Sequence, residues 1–209
     1  MSPRPTVIVL ATNLDSRMGD GDDEAHHGLD VNTAFALTLH HALSSLLPMV
    51  VVVSPDFASL ACSSVAARDV VVVEPAAASR ARGPRSGLGG SIAAGVWARP
   101  ESPGWLVVPA DLPMLRPSTM RAVAAALADN TVAYAQHLGR AGHPIGFAGE
   151  LYSELVSSDD SDMARRLMAR YPAHAVEVDD AGAVSDFSNQ EEVASLRTAS
   201  AEHRALRYR

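Results

Sequence analysis

The chain has 209 residues, a formal net charge of −7 and 17 basic side chains, all of them arginine because lysine is absent. With 47% hydrophobic residues and a mean hydropathy of +0.06 it can bury one sizeable core, but no run approaches the roughly 18 apolar residues that span a bilayer and no signal sequence opens it. These features predict a cytoplasmic protein with no membrane partner, and the acidic balance argues against nucleic acid, whose phosphates need a basic footprint.

In chain order, strands and helices alternate. Thr6 to Ala11 is a β-branched run too short for a helix, followed by a polar stretch rich in Asp and Gly that predicts an exposed loop. Val31 to Leu47 has helical spacing with Asp30 or Asn32 as its cap. Met49 to Ser54 predicts a second buried strand, Pro55 to about Ala67 a second helix, and Val70 to Val73 a third strand. The lone Cys62 falls in that second helix and is expected to be a buried small hydrophobe. A loop with Pro84 and three arginines precedes a glycine-led helix from Gly87 to Ala98.

A strand over Trp105 to Val108 comes next, then a helix from Pro117 to Ala128 with proline in its first turn. Thr131 to Gln136 predicts a strand, Leu138 to His143 a glycine-rich turn, and Ile145 to Phe147 a short strand. Helices near Glu150 to Val156 and Met163 to Tyr171, a strand from His174 to Val178 and a last helix from about Gln190 complete the pattern. No repeat or long linker divides it, so the expectation is a single three-layer α/β/α Rossmann-like domain over residues 1–209 with a mostly parallel central sheet.

The stretch Gly104 to Arg116 carries the first chemical signal. Its apolar run ends in Pro109, a lone Asp111, Pro113 and then Pro117, so the strand stops where its backbone donors run out. Asp111 is thereby predicted at the C-terminal end of a buried strand, the edge where open α/β sheets bind ligands. A carboxylate there can hold a metal against phosphate. It can equally cap the turn that follows, since Asp before Leu-Pro also forms turns.

Several stretches together resemble one family. Leu10-Ala11 with Arg17-Met18-Gly19, then Gly87 to Gly95, then Pro109-Ala110-Asp111-Leu112-Pro113 are similar in order and spacing to motifs of the MobA-like nucleotidyltransferases, which include enzymes that attach CMP or GMP to molybdopterin. Arg140 to Phe147 resembles that group's glycine-His-Pro segment, and Val178 to Gly182 leading to Asp186 its C-terminal acidic segment. The resemblance implies transfer of a nucleoside monophosphate from CTP or GTP to a phosphorylated acceptor, with Mg2+ as cofactor and release of pyrophosphate. It implies Asp111 and Arg17 as catalytic residues, and Asp111 with Asp186 as metal ligands. Leu10, Ala11, Thr12, Gly19, Gly87, Ser91 and Gly95 would bind the nucleotide, with Gly87 to Gly95 facing Asp111 across a cleft. His143 and Pro144 would line the acceptor side. Its partners would be the NTP, a small phosphorylated acceptor, and a protein that uses the finished cofactor.

The chain departs from that pattern at charged positions. Thr12 and Asn13 replace two glycines, Asp15 replaces a small hydroxyl residue, Asp22 stands where a phosphate-binding lysine is usual, and Ala81 replaces an Asn. Ser188 stands where a second carboxylate of an Asp-x-Asp is expected, and Ser is a poor substitute on magnesium. Two like charges about 4 Å apart repel by roughly 4 kcal/mol at an effective dielectric near 20, so an acidic first loop disfavours a bare triphosphate. Arg80, Arg82 and Arg85 can supply bidentate phosphate contacts in place of the lysine, or form a solvated basic loop. His26 and His27 beside acidic residues match no specific coordination spacing, and His40 and His41 read as partly exposed helix residues. Three readings follow: an active nucleotidyltransferase acting on a pterin-type or related phosphorylated acceptor, a catalytically impaired relative that binds a cofactor or partner protein without turnover, and a different transferase of the same fold, such as a guanylyltransferase for a phospholactate or a sugar phosphate.

Overall fold

In the computed structural model, residues 3–12, 14, 30–74, 88–157 and 162–184 are described. Strand β1 (Thr6–Ala11) is buried at all six positions and pairs in parallel with β2 (Met49–Val53) on one side and β4 (Gly104–Pro109) on the other. β3 (Val70–Val72) extends the sheet beyond β2. On the opposite side come β6 (Arg140–Ala148), β5 (Val132–His137) and β7 (Ala173–Glu177), giving the order β3-β2-β1-β4-β6-β5-β7. Only β6 among these runs antiparallel to its neighbours, so the sheet is mostly parallel, as its unbroken apolar strands predict.

Successive side chains of a strand point to opposite faces, and both faces are covered. Val7, Val9, Val51, Val53, Leu106 and Val108 share one core with Phe35, Phe57 and Met120, which belong to α1 (Val31–Ser44), α2 (Pro55–Ser64) and α4 (Pro117–Ala126). Ile8, Val50, Val52, Trp105 and Val107 share the other with Ile92, Leu155 and Leu167, from α3 (Leu88–Trp97), α5 (Tyr152–Ser157) and α6 (Met163–Arg170). The result is the expected three-layer arrangement. Asp30 caps α1 by accepting from Thr33 N at 3.0 Å, and Pro55 and Pro117 occupy first-turn positions that need no donor.

Two expectations are corrected. The stretch Leu138 to His143 is not a long glycine-rich turn, because β6 begins at Arg140 and the connection is a tight hairpin. Leu138 (φ 50°) and Gly139 (φ 77°) both take left-handed conformations, as a two-residue hairpin compatible with strand twist requires. Cys62 is exposed, because the buried stripe of α2 runs through Phe57 and Ala61 and the next residue turns about 100° away from it. His40 is exposed and His41 half-buried, as read from the sequence. No helix among the described residues is long and apolar enough to cross a membrane. The predicted helix from Gln190 lies outside the described residues.

Candidate active site

Strand β4 ends at Pro109, and the chain leaves the sheet on a final bond from Ala110 N to the Leu10 carbonyl at 2.9 Å. Asp111 follows at once. Its side chain is 5% exposed and lines a cleft of about 300 Å³. Pro109 and Leu112 line it beside Asp111, with Ala141, Gly142, His143 and Ile145 of the neighbouring strand β6, Met168 of α6, and Ala183 and Val184. The His143–Pro144 peptide is cis. Asp111 therefore sits at the C-terminal edge of a central strand beside a cleft, and His143 enters that same cleft. The described residues of α3 pack over β1 and β2 and are not among those lining this cleft, and Gly87, the start of the expected Gly87 to Gly95 wall, lies outside the described residues.

The residues behind Asp111 explain why the segment sits where it does. Leu115 N turns back to Leu112 O at 3.1 Å. Asp180, 2% exposed, accepts from Arg116 N at 2.9 Å, from the Thr119 hydroxyl, and from Gly182 N at 3.1 Å. Arg116 adds an Nη1 donation to the Asp179 carbonyl at 2.7 Å. The turn Ala181–Ala183 is thus pressed against the Asp111 segment. A methyl group at Gly182 would come within 2.3 Å of Met114 O, and one at Gly142 within 2.1 Å of Ala183 O, so only glycine permits these backbones to approach. On the other side, the buried Thr38 hydroxyl of α1 donates to Ala110 O at 3.0 Å. His41, one turn later, lies against the backbone of Leu115 and Pro113. Burial first, and the neighbouring His40 second, hold its pKa below the ordinary 6.5, while Asp180 and those backbone groups oppose the shift.

The expected nucleotide contacts divide three ways. Leu10 and Ala11 are buried, and their carbonyls are engaged by Ala110 N and, at 3.4 Å, Ser54 N, so Thr12 is the first residue beyond the sheet. The Thr12 and Ser91 hydroxyls are 2.8 Å apart, joining the segment after β1 to α3. Gly95 faces the sheet, where an added Cβ would meet Ile8 Cγ2 at 2.6 Å, which accounts for glycine by helix packing alone. Arg17, Gly19, Gly87 and Asp186 lie outside the described residues, as do Asp15, Asp22, His26, His27, Ala81, Ser188 and the arginines at 80, 82 and 85.

The donor set suits magnesium in kind. That ion retains several waters and takes one or two carboxylates plus substrate phosphates, so a single buried carboxylate at a cleft is a sufficient protein contribution from this side. Among the described residues no group of three His, Cys, Asp or Glu could form an all-protein cage. Sequence reasoning missed Thr38, Met168 and the anchoring role of Asp180. The Asp-x-Gly pattern of Asp180 and Gly182 was the available signal, since an Asp side chain commonly binds the backbone N–H two residues on.

Solved structures share this fold. Rv0371c from Mycobacterium tuberculosis H37Rv superposes with a TM-score of 0.68 at 20% identity, over 94% of this chain and 98% of that one. A structure of Rv0371c in complex with manganese gives 0.62 at 19%, over 85% and 89%. The nucleotidyl transferase Mth528 of Methanothermobacter gives 0.68 at 19%, over 94% and 97%. None of the curated proteins compared with the chain is significantly similar in sequence. The MobA-like NTP transferase domain matches residues 7–176, which take in β1 from Val7 onward, the Asp111 segment and His143, and the chain belongs to that family.

Proposed function

We propose that this chain transfers a nucleoside monophosphate from CTP or GTP to a small phosphorylated acceptor such as molybdopterin. An acceptor phosphate oxygen attacks the α-phosphorus, the α–β P–O bond breaks, and pyrophosphate leaves with the bridging oxygen and its electron pair. One observation carries the reading: a buried carboxylate, Asp111, at the C-terminal edge of β4, set in the same cleft as His143. Asp111, with Asp186 from the C-terminal acidic segment, would hold a divalent cation, preferably Mg2+, which when bound offsets charge on the phosphates. Thr12 and Ser91 would meet the nucleotide with Gly19 and Gly87, Arg17 would contact phosphate oxygens, and His143 and Pro144 would orient the acceptor. A protein that uses the modified cofactor would then receive it.

A second reading, nucleotide or cofactor binding without turnover, is favoured by Asp22 and Ser188, which stand where the family resemblance expects a lysine and a carboxylate. Pyrophosphate release measured with each NTP, Mg2+ and candidate acceptors separates the two. Asp111→Asn should lower the rate by at least about 10²-fold, as loss of one preorganised charge contact does. A parental rate in that variant would overturn the assignment. Nucleotide binding by the parent with no pyrophosphate from any NTP would favour the second reading.

A further inference from the structure

The segment bearing Asp111 is pinned at both ends by buried polar side chains that do not line the cleft. At its start, Thr38 is fully buried, and its hydroxyl lies 3.0 Å from Ala34 O and also 3.0 Å from Ala110 O. A helical threonine ordinarily bonds only its own helix four residues back. Here the second acceptor is the carbonyl immediately before Asp111, 72 residues away in sequence. At the segment's end, Asp180 gathers Arg116 N, the Thr119 hydroxyl and Gly182 N. A buried carboxylate is costly unless hydrogen-bonded, and three donors from two separate stretches of chain meet that need while fixing Arg116 in place.

We propose that Thr38 and Asp180 are positioning residues which hold the Asp111 carboxylate at the cleft, so that divalent-cation affinity depends on two side chains that never touch the cation. This rests on the proposed metal role of Asp111. Between the two pins lie Asp111, Leu112, Pro113, Met114 and Leu115, which turn back on themselves through the bond from Leu115 N to Leu112 O at 3.1 Å. Leu112 and Leu115 stay anchored in the core, so releasing either pin frees one end of the turn and shifts the adjoining Asp111 rather than unfolding the segment. Outer contacts of this kind typically govern metal affinity by 10- to 100-fold.

The test is Mn2+ titration of the full chain, at a temperature well below each variant's unfolding midpoint. Asp111→Asn should remove binding. Thr38→Val and Asp180→Asn should each weaken it about 10- to 100-fold, Thr119→Val, which withdraws one donor from Asp180, several-fold, and Thr38→Ser should restore parental affinity. The Mn2+ concentration giving half-maximal pyrophosphate release should rise by the same factors. Variants that melt earlier yet bind Mn2+ with parental affinity would reduce both residues to fold stabilisers and overturn the proposal. Should Asp180→Asn fail to fold, Thr38→Val and Thr119→Val decide. If Asp111→Asn loses Mn2+ while Thr38→Val and Thr119→Val do not, the positioning idea alone fails. If Asp111→Asn matches the parent, or the parent binds no Mn2+, the metal role of Asp111 fails and the positioning idea falls with it.

Discussion

Adding one methyl group at Gly182 probes the site without removing any charged group. A Cβ there would lie 2.3 Å from Met114 O, 2.4 Å from Met114 C and 2.8 Å from Leu115 N, all backbone atoms that cannot swing aside as a side chain could. Ordinary contact begins near 3.4 Å, so the turn and the Asp111 segment must separate by about 1.1 Å. Overpacking of this kind costs about 1–3 kcal/mol. At about 2–4 °C per kcal/mol for a chain of this size, Gly182→Ala should lower Tm by about 2–12 °C. The same displacement moves Met114 and Leu115, three and four residues beyond Asp111. A misplacement of about 1 Å at a reacting centre can cost about 10²-fold in rate. The variant should therefore lose far more activity than its stability loss explains when assayed below its Tm, by differential scanning calorimetry alongside pyrophosphate release. A Tm within a degree of the parent, with an unchanged rate, would show that this contact relaxes freely and that the Asp111 segment is not held through the turn.

The Thr12–Ser91 pair predicts that Ser91→Ala raises KM for the NTP several-fold with little change in kcat, because one hydroxyl contact of about 0.5–1.5 kcal/mol between the segment after β1 and α3 is lost; an unchanged KM removes both residues from the nucleotide site. His41 predicts a pH dependence of stability. Its folded pKa is depressed below 6.5, so between the two values the unfolded chain binds more protons. Its contribution is whole above about pH 6.5 and is lost as pH falls through the folded pKa. Urea midpoints at pH 7.5 and 5.5 should therefore diverge less in His41→Gln than in the parent, and an equal divergence would clear His41 of the effect.

The parallel half of the sheet was legible because both of its faces are buried. Val50 to Val53, for instance, contributes alternately to the two cores, which forces an unbroken apolar run with no helical alternative of that length. Asp111 was legible from its flanking prolines, which fix where β4 must stop. Of β6 only the stretch Ile145 to Phe147 was legible, since Gly142 and Pro144 weaken the strand pattern before it, and the reason Gly142 is tolerated, the Ala183 carbonyl pressed against it, lies 41 residues on. Cys62 was misplaced for want of helical phase, although Phe57 and Ala61 four residues apart mark the buried side. The anchors of the Asp111 segment were beyond local reading altogether. Thr38 meets Ala110 across 72 residues and Asp180 meets Arg116 across 64, so nothing in the composition around either residue indicates its partner.

Binding and turnover make different demands on the charged positions that depart from the family. A nucleotide can be held by contacts equally strong before and during reaction, but acceleration needs contacts that strengthen as charge develops. If the positions of Asp22 and Ser188 carry the lysine and carboxylate roles that the resemblance implies, these replacements would remove two such contacts, each worth about 3–4 kcal/mol, or together roughly five decades of rate. The arginines at 80, 82 and 85 would offer a compensating cation on the proposed reading, since guanidinium can grip phosphate at two points where lysine offers one. The alternatives separate by substitution. If the arginines compensate, Arg82→Ala with Arg85→Ala should weaken nucleotide binding and flatten its salt dependence, since charge attraction is what ions screen. Asp22→Lys with Ser188→Asp would then add little. If nothing compensates, the parent turns over slowly, the arginine changes leave affinity intact, and Asp22→Lys with Ser188→Asp raises pyrophosphate release by orders of magnitude, an increase that Asp111→Asn should cancel. Rapid turnover by the parent that survives Asp111→Asn would mean that the reacting phosphates are held elsewhere in the chain.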